Sequence, residues 1–183
     1  MMLVSQWSSW VDLEELRRDH GPRPRSGEQT LSTEIFHPNL PLLLAQAREE
    51  IISRFRPILN HFGVTEQQWR ILRVLRHSEP LEPRQICEIC LFLSPSLTGV
   101  LARMEEMDLV RKERVESDHR RVMVHMTDKS RALVDAAIPL ITEQYRFIED
   151  VIGAKQTAEL YDVLTKLTAL HGAAIPLVKL PPK

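Results

Sequence analysis

Apolar residues recur at helical spacing along most of this chain, and the pattern gives way to strand-like alternation in one short stretch. Leu40, Leu43, Leu44, Ala47, Ile51, Phe55, Ile58 and Phe62 follow a 3.6-residue repeat, which predicts a long first helix ended by Gly63. Pro57 lies inside it and should kink or break it, because proline lacks an amide proton and clashes one turn back. Thr65-Glu66-Gln67-Gln68 has the form of a capping box, in which the Thr65 hydroxyl accepts from the third helical amide and Gln68 returns a bond. The second helix that starts there carries Trp69, Leu72 and Leu75 as its buried stripe, with Arg70, Arg73 and Arg76 as a basic row one position over.

After His77-Ser78-Glu79-Pro80, Leu81 suits a minimal strand, and Pro83 suits the first turn of a third helix bearing Ile86, Cys87, Ile89 and Cys90. Leu91 to Leu93 form a turn. Ser94-Pro95 then reads as an N-cap with proline at N1, opening a fourth helix over roughly 95–107. Leu97, Val100, Leu101 and Met104 make its core side, leaving Ser96, Gly99 and Arg103 on a polar face flanked by Thr98 and Ala102. Next, 109–115 and 121–126 alternate like strands, with Leu109, Val122, Val124 and Met126 inward and a charged tip, Glu116-Ser117-Asp118-His119-Arg120-Arg121, between them. Thr127 caps a fifth helix carrying Leu133, Ala136, Ala137, Leu140, Ile141, Ile148 and Val151, bent at Pro139 and stopped by Gly153. A sixth helix carries Leu160, Val163, Leu164, Leu167 and Leu170, and Gly172 closes it.

Helix, helix, then hairpin with a polar tip is the order of a winged helix-turn-helix. The expected fold class is therefore mainly α with a small β-wing, the module being flanked by N- and C-terminal dimerisation helices. Residues 1–38 form a separate zone. Trp7, Trp10, Leu13 and Leu16 suit a short helix before the linker Gly21-Pro22-Arg23-Pro24-Arg25-Ser26-Gly27, and the zone reads either as a disordered arm or as an arm packed on a partner. The domain proper is set at 39–172, with a DNA-binding lobe at about 64–127, dimerisation helices at about 40–62 and 127–172, and a tail at 173–183. The terminal helices hold more apolar surface than the small module covers, which points to a homodimer.

Of 183 residues, 43% are hydrophobic and 27% charged, ordinary values for a globular chain, and no apolar run approaches the ~20 residues of a membrane span. The first residues lack a basic stretch followed by an apolar one, so a cytoplasmic protein without membrane contact is expected. A net charge of −1 gives no global cationic signal for nucleic acid, although Arg111, Lys112, Arg114, Arg120 and Arg121 crowd the hairpin. Cys87 and Cys90 are too few for a disulfide framework. Their spacing suits buried helix positions or a redox pair, and no second ligand pair stands near to make a zinc site. No phosphate-cradling glycine loop, H-E-x-x-H or nucleophile elbow is present, so catalysis, cofactors and metals are not expected.

Helix-turn-helix, a wing bearing Asp118-His119-Arg120-Arg121, Thr127 and two long helices together resemble the MarR family of winged-helix dimers. Ala47-Arg48-Glu49, Phe55-Arg56-Pro57, Thr65 to Ile71 and Pro95-Ser96-Leu97-Thr98-Gly99 are similar to its homoprotocatechuate-degradation operon repressors. The resemblance covers about 40–170. It implies a homodimer that represses an operon from a palindromic double-stranded operator and releases it when an aromatic acid binds. Asp108 replaces the family's usual glycine after the recognition helix, and Lys129-Ser130 replaces Lys-Gly.

On this reading Ser96, Thr98 and Arg103 contact the major groove and Ser94 a phosphate. Arg120 enters a flanking minor groove, Asp118 orients a guanidinium, and Arg121 serves phosphate or bonds within the wing. A small aromatic carboxylate effector needs a cation and an apolar slot, for which Arg48, Trp69 and Arg70 are the candidates. The plain structural alternative makes Trp69 core and the arginines surface partners. The competing functional reading is a redox-responsive regulator switched through Cys87 and Cys90.

Overall fold

The computed structural model describes residues 39–92, 94–116, 118–172, 175–176 and 178–181. The arm expected over 1–38, with its tryptophans and linker, lies outside the described residues, as do parts of the 173–183 tail. The chain divides into two units, Met1–Glu49 and Glu50–Lys183. In the first, Asn39 opens helix α1 (Leu40–His61): its side-chain oxygen accepts from the Leu42 amide at 3.1 Å and its carbonyl from the Leu43 amide at 3.0 Å.

The second unit holds the rest of α1, then α2 (Glu66–Ser78), α3 (Pro83–Cys90), α4 (Ser94–Glu106), β1 (Val110–Val115), β2 (Asp118–Met126), α5 (Asp128–Ile152), α6 (Ala154–Thr168) and a closing 3-10 turn, Ala169–Gly172. One core joins them. It is built from Ile71, Leu72 and Leu75 of α2, Ile86 and Cys90 of α3, Leu97, Leu101 and Met104 of α4, Leu109, Val110, Val124 and Met126 of the hairpin, and Val134, Ala137 and Ile141 of α5. Each fully buried aliphatic side chain among them stabilises the fold by roughly 1.5–3 kcal/mol. Leu81 adds a single bridge to the wing, its amide donating to Val124 O at 3.3 Å and its carbonyl accepting from the Val124 amide at 2.8 Å.

Several expectations change. Helix α1 runs on through Pro57 instead of breaking there. Helix α4 begins at Ser94, so Ser94 is its first residue and not its N-cap. Ile89 is 54% exposed, because an eight-residue helix buries one narrow stripe and here that stripe is Ile86 and Cys90, one turn apart. Strand β2 starts at Asp118, so Asp118-His119-Arg120-Arg121 belong to a strand and not to the tip; a register shift between Arg114 and Val115 pairs Val115 with Asp118. Val122 is only half-buried, while Val110, not expected inward, is buried. In α5 the inward row is Ser130, Val134, Ala137 and Ile141, whereas Ala136, Leu140 and Val151 are exposed. That helix carries two apolar faces, and the periodicity alone did not say which one the chain itself covers.

Helix ends fix the geometry of the lobe. Gly63 closes α1 at φ +68°, with the Gly63 amide on Asn60 O and the Val64 amide on Leu59 O, both 3.0 Å. The same Schellman arrangement ends α4: Asp108 takes φ 56°, its amide donates to Glu105 O at 3.0 Å, and the Leu109 amide donates to Met104 O at 2.8 Å while both of those side chains are buried. A left-handed Asp costs about 1 kcal/mol more than glycine there, and nothing in the bonding of its side chain offsets it. Thr65 forms the expected capping box, and Thr127, expected as an N-cap, forms one too with Ser130 as the returning partner; Ser130 is fully buried, its hydroxyl accepting from the Thr127 amide at 3.1 Å.

Thr127 Oγ1 also donates to Asp108 O at 2.7 Å, and Lys129 Nζ to Met107 O at 2.7 Å, so the start of α5 satisfies carbonyls at the end of α4. Thr127→Ala removes the cap and one of these bonds, and is expected to lower unfolding stability by about 1–2 kcal/mol. Urea titration checks this: the midpoint falls with the slope unchanged, and an unmoved midpoint removes the joint from the account.

Candidate nucleic-acid interface

Helix α4 presents its outer face because its inner one is fully committed. Leu97, Val100, Leu101 and Met104 are all buried, and Ser96, Thr98, Gly99 and Arg103 are exposed on the opposite side. A polar helix face set on a rigid apolar base is the form a major-groove reader takes. Arg103 forms no side-chain hydrogen bond or ion pair with any described residue, so its five donors remain available. Gly99 lies in the middle of the same face, where a glycine costs about 1 kcal/mol against alanine. Ser94 contributes the helix start; its side chain, like those of His119 and Arg120, lies outside the described residues.

The wing is less cationic than its sequence suggests. Lys112 Nζ lies 2.9 Å from Glu105 of α4 and Arg111 2.6 Å from Glu113 beside it. Arg121 donates through Nε to Glu82 Oε1 at 2.8 Å, and through Nη2 to the same oxygen, so it ties β2 to the N-cap of α3. This is neither the phosphate nor the within-wing role expected of it; the partner sits 39 residues earlier, and no local pattern points to it. Arg114 pairs with no described residue, and Asp118 is exposed at the head of β2. At the wing's base, His125 stands between two carboxylates, Nδ1 3.8 Å from Glu79 and Nε2 3.5 Å from Glu113. Arg131 of α5 holds Glu79 at 2.5 Å, so α2, the wing and α5 meet in one chain of charges that no motif announced.

Of the effector candidates, Arg48 is exposed on α1, in the first unit. Trp69 is 8% exposed and belongs to the core. Arg70, half-buried, has Glu66 at 2.6 Å, donates to Cys90 O at 2.9 Å and lies 5.2 Å over the Phe92 ring. Cys90 is buried against the same side chain. Burial pushes its thiol above the ordinary value, with Arg70 opposing and Cys87 adding to the rise. Among the described residues no His/Cys/Asp/Glu group is arranged to hold a metal, and no helix is long and apolar enough to cross a membrane.

Residues 62–121 match the MarR family. The HTH-type transcriptional regulator FarR of Neisseria gonorrhoeae is 35% identical over 143 residues, covering 78% of this chain and 98% of that protein. The homoprotocatechuate degradative operon repressor of Escherichia coli is 38% identical over 135 residues, covering 74% of this chain and 91% of the relative. This chain belongs to the MarR family. The structure of NadR in complex with 4-hydroxyphenylacetate is similar at a TM-score of 0.67 and 34% identity, over 74% of this chain and 98% of that one. Membership makes α3 and α4 the helix-turn-helix, β1 and β2 the wing, and the protein a DNA-binding transcriptional regulator.

The Arg121 to Glu82 tie holds β2 of the wing to the start of α3. Both groups are partly exposed, so the pair contributes no more than about 1 kcal/mol to folding. Arg121→Ala should therefore leave stability nearly unchanged and weaken operator binding without altering its dependence on salt. A log–log salt slope shallower by about 1 shows instead that Arg121 leaves Glu82 for a phosphate.

Proposed function

We propose that the chain is a homodimeric repressor of an aromatic-compound catabolic operon of the hydroxyphenylacetate or homoprotocatechuate kind, released by an aromatic acid. The observation that carries the DNA half is the exposed face of α4 with Arg103 unspent at its centre of charge. The aromatic half draws on the relative that represses homoprotocatechuate degradation and on the NadR complex with 4-hydroxyphenylacetate.

Dimerisation accounts for the outer faces of α5 and α6, where Ile138, Phe147, Val151, Tyr161 and Val163 are each more than two-fifths exposed. A two-fold dimer sets its recognition helices about one DNA turn apart, ~34 Å, and so reads a palindrome. In each half-site Ser96, Thr98 and Arg103 address the major groove and Ser94 a phosphate. Arg120, oriented by Asp118, enters the neighbouring minor groove. Such a regulator works in the cytoplasm and catalyses nothing.

An aromatic carboxylate requires a cation, and we assign that part to Arg48 or to Arg70 beside Trp69, each to be tested singly. At Arg70 the ligand must displace Glu66, and in doing so it draws the guanidinium from Cys90 O. Arg103→Ala is expected to weaken binding to the operator by about 1–3 kcal/mol and to relax preference at one base pair in each half-site. Hydroxyphenylacetates should release the wild-type complex in a gel-shift or anisotropy titration. An operator complex indifferent to every hydroxyphenylacetate and cinnamate-type acid overturns the effector reading.

Redox switching through Cys87 and Cys90 is the competing reading, and the buried, proton-retaining Cys90 opposes it, since the thiolate is the reactive form. Hydrogen peroxide should leave operator affinity unchanged. A peroxide-induced loss that Cys87→Ser abolishes moves the protein to the redox class.

A further inference from the structure

Gly99 has no reason to be glycine that the folded chain supplies. It is the sixth residue of a thirteen-residue helix and has ordinary helical backbone, so no left-handed turn requires it. Apart from its chain neighbours and the surrounding helical backbone, no described atom lies within 4 Å of where a Cβ would stand. An alanine there fits and favours the helix. The residue is exposed, one turn after Ser96 and one turn before Arg103, on the side opposite Leu97, Leu101 and Met104.

We propose that Gly99 is the point of closest approach between the helix and the floor of the DNA major groove, and that its missing side chain helps set which base pair is accepted there. The inference rests on the DNA reading of α4 given above and adds a specificity-determining position to it. A recognition helix lying in the groove brings the middle of its outer face nearest to the base edges, while its ends face the phosphates. A methyl group at position 99 then projects into the space that the base-pair edge fills, and the neighbours Ser96 and Arg103 are lifted off their contacts.

The probe is the duplex that wild-type protein selects from a random-sequence pool, compared with an unselected duplex. Gly99→Ala should melt about 2–4 °C higher than wild type and sediment like it. Its affinity for the selected duplex should fall roughly tenfold or more, while its affinity for the unselected duplex stays within about twofold. Undiminished affinity for the selected duplex overturns the proposal. So does an equal loss on both duplexes, which marks a phosphate contact, and so does a lower melting temperature or altered sedimentation, which marks a role within the protein. Arg103→Ala, measured alongside, separates the two levels: if it too binds normally, the DNA reading of this face fails, whereas if it alone weakens binding, only the close approach at Gly99 fails.

Discussion

The joint between the end of α4 and the start of α5 holds the rest of the lobe in place. A helix that ends in the middle of a domain leaves carbonyls without partners, and each costs about 1–3 kcal/mol if buried unmet. Here the Leu109 and Asp108 amides turn back onto Met104 and Glu105, and Thr127 and Lys129 take the outward carbonyls of Asp108 and Met107. Leu109 and Met104 close over the turn from inside. The recognition helix is thus anchored through its backbone to the long helix that follows the wing. Its outer face owes nothing to that anchorage and is free to be chosen for DNA.

The distribution of charge follows from the same frame. A near-neutral chain binds DNA only if its cations are concentrated and unspent at one surface, and the structure spends most of the wing's cations on itself. Glu82 occupies Arg121, Glu105 occupies Lys112, and Glu113 occupies Arg111. The first two pairs orient the hairpin against α3 and α4 more than they stabilise it. Within α4 and the wing, Arg103 and Arg114 are the described cations without a carboxylate partner. A regulator arranged this way gains discrimination from geometry and keeps its non-specific affinity low.

What the sequence made legible was local. The capping box at Thr65, the N-cap at Thr127, the proline at the start of α3 and the split of α4 into Leu97, Val100, Leu101 and Met104 against Ser96, Gly99 and Arg103 depend on neighbours three or four residues away, and all appear in the structure. The failures share a different cause. Periodicity marked Leu140, Val151 and Ile89 as apolar positions but cannot tell a face the chain buries from one it leaves outside, and these three lie outside. Glu82 and Glu79 were invisible because their partners are far away in sequence; Glu79 meets Arg131 across 52 residues. Charge counting within the hairpin could not include them.

Arg70 shows how the two halves of the molecule's task can meet. Its guanidinium is divided between a carboxylate on its own helix, Glu66, and the last carbonyl of α3, Cys90 O, with the Phe92 ring beneath it in the turn that leads to α4. The bond to Glu66 is replaceable by a carboxylate of better geometry, and a guanidinium drawn toward it loosens its bond to Cys90 O. On the effector role proposed for Arg70, a ligand that wins it acts on the turn between the two DNA-reading helices without touching either. The movement required is small, since a reader that depends on close approach at the groove floor loses its fit over a displacement of about 1 Å. Release then needs no unfolding of the lobe. On that proposal the start of α4 shifts while the Thr127 and Lys129 bonds hold its other end.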